Sequence, residues 1–301
     1  NFAGTTHERA SWDRKIDLDL AASRGVQFKL WCADPSPVSY FSLYFQSGGG
    51  WYHATFFPET TNGWNVINID KSTTTTEGEP AGWGHISAIR FSAWRGQDQD
   101  TELFFSDLRE TGVLGDDARV AVLRGESIAQ RSPGEARSVE RFTEGVAQAL
   151  QASDLGCAVI SDHDVTADRL RQVQLVVLPL NPALPDRAAA ELIEYTRHGG
   201  KLLVFYVVPA PLRPVLGVEG GQHITAPRTG AFSAIRFADQ AIPGAPSLVG
   251  QKSWNISAAT PIPGSSRVLA EWIDDHGQPT GHAAVVGSTN GLVMTHVLLP
   301  D

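Results

Sequence analysis

Two cysteines, nine histidines and a few clustered carboxylates are the groups in this 301-residue chain that could support covalent or metal chemistry. Cys32 and Cys157 are too few for a disulfide framework or a four-ligand zinc site. Each falls on an apolar strand pattern, where a thiol behaves as a small hydrophobe, so both are expected to be unpaired. The triple Asp162-His163-Asp164 is the best metal-like cluster. It follows a strand pattern, at the end where open α/β sheets bind ligands. The same residues also read as helix capping, with Asp164 or Thr166 as the N-cap of the next helix. Asp116-Asp117 and Asp274-Asp275 read as junction and turn carboxylates, and Gly287-Ser-Thr-Asn-Gly291 as a hairpin turn.

A second kind of chemistry is stacking. Sugars present apolar C–H faces flanked by hydroxyls, and proteins hold them with exposed rings and planar polar groups. Strand parity supplies such groups. In Gly25–Cys32, Val26, Phe28 and Leu30 face a core, which leaves Lys29 and Trp31 outside. In Ser39–Gln46, Phe41, Leu43 and Phe45 point in, which leaves Tyr40, Tyr44 and Gln46 outside. In Ile86–Trp94, Ile89, Phe91 and Ala93 point in, which leaves Arg90 and Trp94 outside. Trp31, Tyr44, Trp94, Lys29, Gln46 and Arg90 are therefore the candidate carbohydrate platform. The competing reading is that these rings pack against a loop or a second domain.

The elements that must position these groups divide the chain in two. Six of eight Trp lie before residue 113, and Thr111-Gly-Val-Leu-Gly-Asp-Asp117 is a junction with turn composition. Residues 1–112 show short alternating strands separated by Gly, Pro and Asn, the pattern of an antiparallel β-sandwich. Ser47-Gly-Gly-Gly50 reads as a hairpin and Ser72–Thr76 as a loop. Residues 113–301 alternate: strands at Arg119–Leu123, Cys157–Ile160, Leu175–Pro179 and Lys201–Val208, and helices at Gly134–Ala152, Thr166–Gln172 and Pro185–His198. That order predicts a parallel sheet with helices on both faces. The tail returns to strands, including Arg267–Ile273, His282–Val286 and Leu292–Val297.

Net charge is −9, with no long basic run and no apolar run approaching a membrane span. Nucleic acid and membrane insertion are therefore not expected. The chain begins at Asn1 without a signal-peptide pattern, and the expectation is an excised piece of a longer protein.

Residues 118–300 resemble the class I glutamine amidotransferase-like, flavodoxin-like fold, in the non-catalytic version found in the middle domain of certain β-galactosidases. The resemblance rests on Leu175–Pro179 with Arg187–Arg197 and Gly199–Val204, on Val268–Gly277, and on Ala283–Met294. It implies a hairpin closing the sheet and a nucleophile position at the end of the Lys201–Val208 strand. Val207 stands there with bulky Tyr206 and Val208 beside it, so no catalytic residue is expected. Residues 12–108 resemble a carbohydrate-binding-module jelly roll of the galactose-binding-like type, through Ile16–Leu20, Gly50–Tyr52 and Ile86–Trp94. That architecture commonly holds a structural calcium, for which Asp17, Asp19 and Asp107 are the candidates by type; no other cofactor is expected. The Glu77–Trp83 loop is a candidate rim contact. Together the two resemblances imply a non-catalytic region of a bacterial glycoside hydrolase-like protein, secreted or periplasmic, with a glycan as partner and a homo-oligomer as a possible state. A ligand-free structural module and an amidotransferase-like hydrolase are the alternatives.

Overall fold

The structure is a computed structural model that describes residues 1–299. The chain is β-rich, and its strands form several sheets. The first eight strands are β1 (Arg9–Leu18), β2 (Gly25–Cys32), β3 (Val38–Ser47), β4 (Gly49–Phe56), β5 (Gly63–Asp70), β6 (Thr75–Glu79), β7 (Ile86–Arg95) and β8 (Leu103–Thr111). They form a five-stranded sheet, β1-β7-β3-β4-β6, and a three-stranded sheet, β5-β2-β8. The alternate residues Val26, Phe28 and Leu30 of β2 meet Leu43 and Phe45 of β3 and Ile86 and Ile89 of β7 in one apolar core between the two sheets. Ser47 opposes Gly50 across the β3–β4 turn. Gly48 takes φ +54° there, a conformation that glycine adopts without strain. Two strands escaped the sequence patterns. β1 has little apolar alternation, and the Ser72–Thr76 run contributes its end to β6 instead of remaining a loop.

The second assembly is a nine-stranded mixed sheet. Its parallel part runs β10-β9-β11-β12 and then Gly291–Met294, with β9 at Val120–Arg124, β10 at Cys157–Ser161, β11 at Leu175–Leu178 and β12 at Lys201–Phe205. The antiparallel strands Pro279–Ser288, Ser266–Ile273, Phe232–Phe237 and Leu248–Ser253 extend it. Helix α1 (Glu126–Arg131) follows β9. Helix α2 (Ala136–Ala152) packs Val146 and Ala147 on Val122, Val159 and Val177. Helices α3 (Ala167–Leu170) and α4 (Asp186–Arg197) bury Leu170, Ala188 and Leu192 on the other face, against Leu123, Ile160 and Leu178. Strands covered on both sides read as continuous apolar runs, as these do. Thr166, not Asp164, caps α3, accepting the Arg169 N–H.

Cys32 and Cys157 are both free and buried, one in the sandwich core and one on β10, and burial pushes both thiols up. Alkylation should label neither in the native protein and both after denaturation without reductant. A denatured mass two hydrogens light with no label would mean a disulfide.

Candidate functional site

The six platform residues do not share one surface. Tyr44, Gln46, Arg90 and Trp94 belong to the five-stranded sheet, whereas Trp31 and Lys29 belong to the three-stranded sheet on the other side of the core. Outer faces of a sandwich point in opposite directions, so these residues make two sites. Parity alone could not reveal this, because it assigns a face to each strand but not a strand to each sheet.

On the five-stranded face the rings are held by polar and aromatic partners of the same sheet. Arg90 donates two hydrogen bonds of 2.7 Å to the Asp13 carboxylate and lies 4.8 Å from the Trp51 ring centre. This pairing holds the Asp13 carboxyl below its usual range and raises Arg90. Tyr44 points to this side but is only 5% exposed, stacked at 4.9 Å on His53 and edge-on to Trp51. Burial lowers the His53 imidazole, partly opposed by Glu77. Trp94 donates its Nε1–H to Ser42 Oγ at 3.2 Å, with Arg9 over its ring from β1 and Tyr40 stacked on it from β3. Gln46 lies between Ala88 and Trp51 in register.

The three-stranded face is open. Trp31 lies in register with Trp64 on β5 and with Phe104 on β8, so three rings form a row across adjacent strands. Trp64 is 53% and Phe104 51% exposed, and Phe104 sits 5.3 Å from Trp31. Adjacent strands lie about 4.8 Å apart, so the row spans about 10 Å. Beside it Val66 is exposed and Lys29 pairs with Asp107 at 2.8 Å. Farther along the same face Arg109, Gln27 and Asn68 form a hydrogen-bonded line. Trp64 and Phe104 were missed by the sequence reading. With Asn65, Ile67 and Ile69 taken as the inner residues of β5, the same parity puts Trp64 and Val66 outside, next to Trp31.

The calcium candidates do not converge. Asp19 bonds Arg169 at 2.7 Å and the Ala21 N–H at 3.0 Å, and Asp107 is held by Lys29. No group of three potential ligands forms among the described residues.

Open α/β sheets bind ligands at the carboxyl ends of their parallel strands, and the ends of β9 and β10 form such a crevice beside the β9–β11 point where the strand order reverses. Here the sandwich fills it. Asp164 accepts the backbone N–H groups of Trp83 at 2.6 Å and Gly84 at 3.0 Å. A Cβ on Gly82 or Gly84 would lie 2.7 Å from that carboxylate, so this approach needs glycine. Tyr52 donates to Glu126, which also accepts from Ser161 at 2.8 Å, and Asp162 accepts the backbone N–H and hydroxyl of Ser127. Arg124 reaches back to the Lys71 carbonyl at 2.6 Å and the Thr74 carbonyl at 2.7 Å. Burial raises Glu126, Asp162 and Asp164 above ordinary carboxyl values, and pushes Lys71 down to about 7. In the Glu77–Trp83 segment the end at Trp83, only 2% exposed, is thus part of the junction, whereas Glu77–Glu79 belong to β6 and are exposed.

The sharp turn after β12 also falls one residue from its expected place. β12 stops at Phe205, and Tyr206 takes φ +62°, an uncommon strain for a bulky residue. Tyr206, not Val207, is therefore the elbow residue. Its hydroxyl pairs with His223 Nδ1 at 2.9 Å, and burial raises the phenol above its usual value. Cys157 is remote in the topology, on β10 at the far edge of the sheet.

No family model matches the chain, and no curated protein matches it. Among solved structures it is similar to a β-galactosidase from Rahnella sp. R3, at 18% identity and a TM-score of 0.47 over 59% of this chain and 28% of that one. A β-galactosidase from Bacillus circulans sp. alkalophilus is similar at 14% identity and a TM-score of 0.44, over 59% and 28%. A ThuA-like protein from Bacteroides uniformis ATCC 8492 is similar at 11% identity and a TM-score of 0.43, over 60% of this chain and 82% of that one. The alignments span little more than a quarter of either β-galactosidase. Likeness of this degree assigns no activity.

Proposed function

We propose that this chain is a non-catalytic carbohydrate-binding and scaffolding region of a bacterial, secreted or periplasmic polysaccharide-processing protein. In this reading the sandwich is a jelly roll of the galactose-binding-like type, and the α/β half an amidotransferase-like, flavodoxin-like scaffold. The observation that carries it is the open row Trp64–Trp31–Phe104. Apolar rings at strand spacing on one sheet face suit the C–H faces of successive sugar units, with Lys29 beside them for the hydroxyls. The scaffold role is supported by an elbow that carries a phenol on a strained residue, and by a strand-end crevice filled with the chain's own side chains.

Weak binding of millimolar order is expected from a few rings and hydrogen bonds. Affinity electrophoresis through gels containing neutral polysaccharides should show retardation of the wild type. Trp31→Ala should lose at least about three-quarters of it, with little change in melting temperature. Trp94→Ala should keep it, because that ring is already held by Arg9, Tyr40 and Ser42. Retardation by no polysaccharide, or equal retardation of Trp31→Ala, would overturn the reading. A structural module without ligand is the second reading, favoured by the sealed junction. It predicts that outcome, with the aromatic row covered by another domain.

A further inference from the structure

The sandwich is open along one side. β1 and β8 are edge strands of different sheets, and between them lies a cavity of about 770 Å³ that reaches the core. Its lining reaches the core residues Leu30, Leu43 and Ile89, which are at most 9% exposed, and the partly buried Phe91 packed against them. Its lip carries Trp12, 53% exposed, and Phe105, 42% exposed, each within 6 Å of Phe91. Both rings belong to the inward-facing sets of their strands, so sheet parity has turned them toward a space that the chain does not fill.

One cation stands at the mouth. Arg14 lines the cavity and has no ion-pair or hydrogen-bond partner among the described residues. Of the nearby carboxylates, Asp13 is engaged by Arg90 on the outer face, and Asp107, which also lines the cavity, is neutralised by its pairing with Lys29. An apolar slot with one free guanidinium at its entrance is complementary to an aliphatic chain with an anionic head. Packed sheets stand about 10 Å apart, and side chains from both take up most of that distance. A single alkyl chain is a narrow enough apolar group to enter between such layers. The volume lies within the range of small-molecule sites.

We propose that the cleft between β1 and β8 is a binding site for a single-chain anionic amphiphile, an alkyl chain ending in a carboxylate or phosphate. The site is separate from the aromatic row of the other face and does not depend on glycan binding.

The full chain would be titrated by isothermal calorimetry with laurate and dodecyl phosphate below their critical micelle concentrations, and with dodecanol below its solubility limit. Saturable one-to-one binding of at least one anionic ligand is expected, and the preferred ligand tells a carboxylate from a phosphate source. Arg14→Gln should weaken the anionic ligand about five- to tenfold and leave dodecanol within about twofold. Ala10→Phe, placed on β1 to fill the lip, should weaken all three, its fold checked by thermal melting. Absence of saturable anionic binding, a stoichiometry well above one, or equal affinity for Arg14→Gln would overturn the proposal. So would a sedimenting dimer that these ligands neither bind nor dissociate, since the cleft would then be a protein interface.

Discussion

Trp83→Ala is expected to destabilise the protein by about 3–5 kcal/mol, the usual cost of truncating a buried aromatic residue. The ring stacks on Tyr52 at 4.2 Å, touches Phe45, and lies 5.5 Å from the Lys71 ammonium. Its indole N–H has no partner among the described residues, which offsets part of that cost, because truncation removes an unsatisfied donor. The backbone N–H still bonds Asp164, so the variant tests the side chain and not the loop's anchor. Chemical denaturation measures the loss, and limited proteolysis between residues 112 and 118 reports whether the two halves have come apart. A loss below about 1 kcal/mol would mean that Trp83 does not hold the junction.

Raising the pH from 7 to 8.5 should stabilise the protein by on the order of 1–2 kcal/mol and raise the melting temperature by a few degrees. The cause is Lys71, fully buried beneath Trp83, with its Nζ donating to the carbonyls of Leu20 at 2.7 Å and Ala21 at 3.1 Å. Desolvation pushes its folded value down to about 7, whereas the unfolded lysine stays near 10.4. Between those values the unfolded chain binds more protons than the native one, so stability rises with pH. The buried carboxyls Glu126, Asp162 and Asp164 act in the opposite sense. Their folded values are raised, so their contribution is lost as pH rises through those values. The two buried thiols oppose the rise again above roughly pH 8.5, where unfolded cysteine ionises. Thermal melts across this window should show the rise in the wild type and a flat profile in Lys71→Met, whatever that variant's absolute stability. A wild-type curve that is flat or falling from pH 7 to 8.5 would rule out a neutral-range Lys71.

Much of the fold was legible in the residues because the relevant signals are local. Val26, Phe28 and Leu30 alternate, and alternation assigns a core face without knowledge of the partner strand. The β9–β12 runs are apolar except at a terminal residue such as Arg124, Ser161 or Lys201, which marks strands covered on both faces. β1 was not legible, because only one of its faces meets the core and much of that face is open. The site was less legible for a related reason. Which sheet a strand joins is decided by pairing between residues far apart, such as Trp31 with Trp64 and Phe104. The placement of Trp83 was hidden for the same reason. Glycines at 82 and 84 read as turn punctuation, although they permit a close approach to an aspartate eighty residues away. Tyr206 shows a limit of motif alignment: the residue in the left-handed conformation is set by where β12 ends.

The arrangement of the junction also has a mechanical meaning. Its bonds run from the sandwich to the ends of β9 and β10 and to the loops that follow, at Arg124, Glu126 and Asp164. Others reach β10 from the side, where the Val159 N–H donates to the Ser23 carbonyl at 3.3 Å and Arg24 meets the Cys157 sulfur at 3.5 Å, so a tether pulling the sandwich away from the α/β half would load this edge strand both at its end and across its ladder. The load at the strand ends is resisted in shear, with the ladder bonds to β11 and between β9 and β10 sharing the force at once, whereas the load across β10 would open its ladder to β9 one bond after another.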